Sequence, residues 1–249
     1  MFVLKCGGST LDALPASFYE ELIQLKKDGF DPIIVHGGGP AISQTLKSLQ
    51  IEPHFIDGLR VTDEATLQVV EMVLIGQTNK QIVKSLQGIG FGLSGMDGNL
   101  ITAEQKEGPY GYVGEINTVK PEIIKQISDM GYIPVIAPLG IDGQGQSYNI
   151  NADTAAGAVA SALGVEQLIV VTDVPGVMEN GKVLPELTVE KVNQLIENGV
   201  ITGGMIPKVK AAMDALQAAD QVVIIDQSNL VAAVNKQEVG TKIVGKVER

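Results

Sequence analysis

The chain has 249 residues, 45% hydrophobic and 19% charged, with a formal net charge of −11. That length and composition suit one large α/β domain or two fused lobes, and the acidic balance excludes a nucleic-acid binder that works by phosphate neutralisation. Cys6 is the only cysteine, which excludes an intrachain disulfide or a multi-cysteine metal site and suits a reducing compartment. The opening MFVLKCGGS is too short for a signal peptide, and no apolar stretch reaches membrane-spanning length. A soluble, cytoplasmic protein is expected, with no membrane partner.

Short apolar runs alternate with longer amphipathic segments, the pattern of a mostly parallel sheet covered by helices. The run Phe2–Leu4 leads into Lys5-Cys6-Gly7-Gly8-Ser9-Thr10 and a predicted helix over 15–27. Ile33-Ile34-Val35 leads into His36-Gly37-Gly38-Gly39 and a helix through Leu49. A hairpin is predicted over 53–62 and a long helix from Asp63 to about Gln87. Residues 90–118 read as two short hairpins, followed by a helix over 121–130 and a strand over 133–137. Gly140–Ser147 reads as a loop, with Asn149-Ile150-Asn151-Ala152-Asp153 beyond it and an alanine-rich helix over 154–163.

The theme then repeats. A strand over 168–171 ends in Thr172-Asp173-Val174-Pro175-Gly176-Val177, and Asn180-Gly181 marks a tight hairpin. A helix over 188–198 closes at Gly199, and Thr202-Gly203-Gly204 introduces a helix over 206–219. A buried strand follows over 222–225, and no low-complexity linker divides the chain.

Glycine turns at two successive strand ends should border one crevice, because open α/β sheets bind ligands at the carboxyl ends of their strands. Glycine lets the backbone approach an anion, and loop N–H groups then donate to phosphate oxygens. Neither turn is a Walker A loop or a dinucleotide fingerprint. Lys5 closes an apolar strand, where a lysine either snorkels to solvent or meets an anion. Lys208 enters a helix beside a natural anion site, where the helix dipole does not call for a cation. Asp153 is either a helix-start carboxylate favoured by the dipole, with Asn151 as the cap, or the group that orients two lysines. Asp173 is either a turn residue or a nucleotide or Mg²⁺ contact. Arg60, in its hairpin, is either solvated or a bidentate carboxylate clamp. His36 and His54 are not paired as metal ligands, and no protein metal site is expected. Cys6 reads as a small buried hydrophobe.

The motifs Val3-Leu4-Lys5-Cys6-Gly7-Gly8, Ile34-Val35-His36-Gly37-Gly38-Gly39-Pro40, Gly58-Leu59-Arg60-Val61-Thr62-Asp63, Asn149-Ile150-Asn151-Ala152-Asp153, Thr172-Asp173-Val174-Pro175-Gly176-Val177 and Gly204-Met205-Ile206-Pro207-Lys208 occur in that order. In order and spacing the chain resembles the amino acid kinase family over nearly its whole length. The resemblance implies a three-layer αβα sandwich with a central, mostly parallel sheet. It also implies an acyl-amino-acid lobe of about 1–165 and an ATP lobe of about 166–249.

The activity implied is transfer of the γ-phosphate of ATP, with Mg²⁺ bound mainly through its phosphates, to the γ-carboxylate of N-acetyl-L-glutamate, a step of arginine biosynthesis. Lys5 and Lys208 would stabilise the transferring phosphoryl group, with Asp153 holding both lysines. Gly38, Gly39, Arg60, Asn149 and Asn151 would bind the acyl amino acid. Gly7, Gly8, Asp173, Thr202 and Gly204 would line the ATP site.

Some members of the family that arginine inhibits carry an extra helix before the first strand, which links dimers into hexamers. The first strand here begins at about residue 2, so a homodimer insensitive to arginine is expected. Competing readings are a kinase of the same family for carrier-bound aminoadipate, aspartate, glutamate or UMP, and a sensing module. The sensing module would be expected to lose one of Lys5, Lys208 or Asp153, and all three are present.

Overall fold

A computed structural model describes residues 1–11, 13–165, 167–203, 205–216 and 221–245, with the side chains of Ser9, Pro207 and Ala211 outside that description. The central sheet contains β1 (Phe2–Cys6), β2 (Pro32–His36), β3 (Gly90–Ser94), β4 (Ile133–Ala137), β5 (Gln167–Thr172), β6 (Glu186–Thr188), β7 (Gln221–Asp226) and β8 (Thr241–Val244). Its order is β6-β8-β7-β5-β1-β2-β4-β3. All pairs are parallel except β7 with β8.

Both faces of this sheet are buried, so its strands read as continuous apolar runs rather than alternating ones. Val3, Ile33, Val35, Ile136, Leu168 and Val170 point to one face, where they meet Ala155, Ala156 and Val159 of the helix Ala152–Leu163. Leu4, Cys6, Ile34, Val135, Ile169 and Val171 point to the other, against Phe18, Leu22 and Leu25 of the helix Ala16–Lys27. The result is the expected three-layer αβα sandwich with a central, mostly parallel sheet.

The carboxyl ends of β1, β2, β4 and β5 share one edge, because these strands run in the same direction. The chain leaves β1 toward β2 on one side and later places β5 on the other, pairing Lys5 with Val170 and Cys6 with Val171. Strand order therefore reverses at β1, the position where open sheets leave a crevice. The boundary expected near residue 165 lies within this one continuous sheet.

Several expectations change. Residues 90–94 form not a hairpin arm but a parallel edge strand beside β4; two glycines had masked its β-character. The segment 101–119 forms a single hairpin, Ile101–Gln105 with Gly114–Val119. The loop read at 140–147 is largely a hairpin, Leu139–Ile141 with Ser147–Asn149, held by Asp142, which accepts from the Gln144 and Gln146 amides. The helix predicted over 206–219 spans Met205–Leu216, with residues 217–220 outside the description. β6, β8 and the short helix Leu230–Val234 were not read from the sequence.

The long helix after Asp63 runs to Ser85, with Asp63 accepting from the Thr66 amide as its cap, but from Met72 to Asn79 it widens to π-helical bonding. The helix Ala152–Leu163 crosses the helix Met205–Leu216 at Gly157, where an added Cβ would lie 2.7 Å from the Ala215 carbonyl oxygen and 3.0 Å from its Cα. Both of those are backbone atoms and cannot rotate away. Gly157→Ala should therefore destabilise the protein by about 1–3 kcal/mol, the usual cost of overpacking a close crossing, as read by urea unfolding. Unchanged stability would show that the two helices separate freely.

Candidate active site

A cavity of about 330 Å³ opens at the carboxyl ends of β1, β2 and β4. Lys5, Gly7, Gly8, Gly37, Gly38, Gly39, Arg60, Asn149, Asn151 and Asp153 all line it. Four separated motifs of the sequence thus meet in one place.

The two glycine turns are in contact with each other. Gly37 donates its N–H to the Cys6 carbonyl at 2.9 Å. A Cβ on Gly8 would lie 2.8 Å from Pro40 Cδ and 2.9 Å from the Gly39 nitrogen. A Cβ on Gly38 would lie 2.6 Å from Leu74 Cδ2. Backbone crowding requires glycine at Gly8, whereas at Gly38 a Cβ would have to displace the end of the Leu74 side chain, and both glycine turns line the cavity.

Lys5 Nζ lies 2.8 Å from Asp153 Oδ1, with both side chains mostly buried. Asp153 is placed by its helix start. Asn151 caps that helix, its Oδ1 accepting from the Asp153 amide at 2.8 Å and the Thr154 amide at 3.0 Å. Asn151 therefore serves as cap and lining residue together.

Arg60 is buried in its hairpin wall. Its Nη2 donates to the Gly39 carbonyl at 3.0 Å and to Ser43 Oγ at 2.8 Å, and the guanidinium lies 4.7 Å from the centre of the Phe55 ring. Burial lowers its pKa from the ordinary value. Its Nη1 is buried with no hydrogen-bond partner. A buried guanidinium nitrogen without an acceptor is costly unless a ligand supplies one. Asn149 is held by its Nδ2 donating to Thr62 Oγ1 at 3.0 Å, and Thr62 Oγ1 donates to the Arg60 carbonyl at 2.7 Å. The hairpin and the Asn149 strand are thereby tied together.

Lys208, Asp173 and Thr202 do not line this cavity. Lys208 Nζ pairs with Asp173 Oδ1, and this bond holds the Asp173 carboxyl below its ordinary pKa. Asp153 was expected to hold both lysines; in this structure it meets Lys5, while Lys208 meets Asp173 at the end of β5. Thr202 is exposed, and its carbonyl accepts the Met205 amide that opens the helix. Gly204, expected in the ATP site, lies outside the described residues.

Cys6 is buried, and its thiol pKa is pushed up to about 12 by desolvation, against the opposing pull of Lys5. It is no nucleophile at neutral pH. Sequence reading passed over Asp214, whose carboxyl is raised first by burial and then by the charge of Asp153. It also passed over Thr62, Ser43 and Asn79. Thr62 sits in the Gly58–Asp63 motif without a role of its own being legible there, whereas Ser43, Asn79 and Asp214 sit in no motif and only the fold places them near it.

His36 is fully buried at the end of β2, and desolvation lowers its pKa from 6.5 to about 4. The unfolded chain takes up a proton near 6.5 that the native imidazole refuses. His36 thus favours the folded state above that pH, and this contribution is lost as pH falls toward 4. The imidazole NMR resonances should keep their neutral shifts through pH 6; a midpoint near 6.5 would contradict the burial described.

An open parallel sheet with paired glycine turns and a strand-end lysine at its switch point defines an α/β protein of the phosphate-handling class. More particularly, the chain belongs to the amino acid kinase family, whose model matches residues 1–226. It is 52% identical over 227 residues to the acetylglutamate kinase of Geobacillus kaustophilus, covering 90% of this chain and 88% of that one. It is 48% identical over 253 residues to the acetylglutamate kinase of Brevibacillus brevis, covering 97% and 96%. A solved protein of Streptococcus mutans UA159 superposes with a TM-score of 0.81 at 32% identity, over 98% of each chain. Carbamate kinase from Giardia lamblia bound to AMP-PNP does so with a TM-score of 0.67 at 17% identity, over 98% of each chain, a likeness of fold alone.

Proposed function

We propose that the protein is an ATP-dependent carboxylate kinase that phosphorylates the γ-carboxylate of N-acetyl-L-glutamate, giving N-acetyl-L-glutamyl 5-phosphate and ADP, a step of arginine biosynthesis. The observation that carries the reading is one cavity lined by two cations, Lys5 paired to Asp153 and Arg60 with an unpartnered Nη1. A substrate with two carboxylates suits two cations in one cavity. The relatives named acetylglutamate kinase support the substrate.

In this reading Arg60 Nη1 and Asn149 receive the α-carboxylate and acetamido end, beside Gly38, Gly39 and Asn151. The γ-carboxylate then faces Lys5. Gly7 and Gly8 lie against the ATP phosphates, and Asp173, Thr202 and Gly204 line the nucleotide side. The lobes are assigned as about 1–165 for the acyl amino acid and 166–249 for ATP.

The nucleophile is already an ionised carboxylate, so no general base is required. The obstacle is an anion attacking a polyanion, and Lys5, Lys208 and the loop N–H groups offset that repulsion. Among the described residues no three His, Cys, Asp or Glu side chains gather as a metal cage. This donor set suits a Mg²⁺ that arrives on ATP with phosphate and water ligands, where it would neutralise phosphate charge. No helix among the described residues is long and apolar enough to cross a membrane. A cytoplasmic homodimer is the proposed working form.

Arg60→Ala should raise KM for N-acetyl-L-glutamate by about tenfold or more, the scale of a lost charge-assisted bond, and leave KM for ATP nearly unchanged. Steady-state kinetics with each substrate varied decides the matter. A change confined to ATP would overturn the assignment of Arg60.

A further inference from the structure

The mechanism above leaves unused a buried imidazole directly beneath the glycine loop. Gly37 O can only accept, so His36 Nδ1, 3.0 Å away, must carry the proton and donate to it. His36 Nε2 is then bare and accepts from Asn79 Nδ2 at 3.2 Å. Asn79 Nδ2 also donates to the Val135 carbonyl at 2.8 Å and reaches the Leu93 carbonyl at 3.3 Å, which orients the amide. Its Oδ1 accepts from Lys80 Nζ at 3.2 Å. A directed chain of hydrogen bonds thus runs from Lys80 through Asn79 and His36 to the Gly37 carbonyl.

The π-helical segment Met72–Asn79 presents this chain to the loop. Such segments are rare departures within α-helices and frequently lie at functional sites. The same segment touches the loop a second time, since a Cβ on Gly38 would meet both Leu74 and Thr78. Gly92 leaves room for the pair: a Cβ there would lie 2.7 Å from Lys80 Nζ and closer still to Asn79 Oδ1.

We propose that His36 and Asn79 are positioning residues for phosphoryl transfer, fixing the Gly37 peptide so that the Gly38 and Gly39 N–H groups stay aimed into the cavity. The proposal rests on the kinase reading above, because the donors it positions are those that would meet the anionic reactants. Neither side chain lines the cavity, so each acts through the loop. Preorganised donors lower a barrier because they need no reorientation as charge develops. A loop released from its anchor would bind nucleotide yet hold the reacting oxygens less well.

The test combines a spectroscopic and a kinetic measurement on the full chain. Imidazole ¹⁵N shifts of His36 at neutral pH should show a protonated Nδ1 and a bare, hydrogen-bonded Nε2, with the Nε2 signal moving in Asn79→Ser. An Nε2–H tautomer would overturn the proposal. His36→Asn keeps a donor facing Gly37 but breaks the link to Asn79, and Asn79→Ser breaks it from the other side. Each should lower kcat by about tenfold with KM for ATP little changed, and the double variant should cost no more than the worse single one.

A lowered melting temperature with wild-type kcat in both variants would make the pair merely structural and refute the proposal. His36→Gln provides a second variant should Asn79→Ser fold poorly. If the wild-type protein does not phosphorylate N-acetyl-L-glutamate, the substrate reading fails. The tautomer measurement then still decides the hydrogen-bond chain.

Discussion

Lys5→Ala is expected to lower kcat by about 100-fold or more, the scale set by loss of one donor to the developing charge of a transition state. Lys5 closes the central strand of the sheet and is the cation at the meeting point of both glycine turns. Its removal also strands Asp153, whose side chain is only 13% exposed. Breaking a fully buried ion pair costs roughly 3–5 kcal/mol, and some access to water here places the expected loss below that. Stability and turnover should therefore fall together in Lys5→Ala but separate in the double variant Lys5→Ala/Asp153→Asn. The double variant removes the stranded charge and should recover stability without recovering turnover. Recovery of both would assign Lys5 a purely structural role.

Lys208→Ala should lower kcat on the same scale, about 100-fold, with a different effect on stability. Its partner Asp173 is 67% exposed, and exposed pairs of this kind contribute about 0–1 kcal/mol. The melting temperature should hardly move, while the Asp173 carboxyl, released from its hydrogen bond, rises toward the ordinary range. Near-normal turnover in Lys208→Ala would remove it from the mechanism. The contrast matters because the two lysines do not share one carboxylate. Lys5 is held in the cavity by Asp153, whereas Lys208 is held at the end of β5 on a partner exposed enough to be exchanged for phosphate.

The central sheet was legible because β1, β2, β4, β5 and β7 are apolar runs buried on both faces and punctuated by glycine or helix starts. β3 was misread since Gly90 and Gly92 dilute its apolar pattern, and Gly92 is glycine to make room for Asn79. β6 and β8 are only three and four residues long, too short to carry a periodic signal. The cavity lining was readable where backbone chemistry dictates residue type, as at Gly8, or where a charge ends an apolar strand, as at Lys5. Partner choice was not readable. That Lys208 meets Asp173 rather than Asp153, and that Asn79 reaches His36 across 43 positions, depend on helix placement over the sheet. The π-helical turn has no distinct sequence pattern either, since Met72–Ile75 is a continuous apolar run that marks no helical face.

The most direct test incubates the protein with ATP, Mg²⁺ and hydroxylamine and measures acyl-hydroxamate formed from N-acetyl-L-glutamate, L-glutamate, L-aspartate and 2-aminoadipate. N-acetyl-L-glutamate should exceed each of the others by about tenfold or more, as a site that pairs buried polar groups with its substrate discriminates strongly. Hydroxamate from none of the four acids, or equal yields from acetylated and free glutamate, would contradict the account.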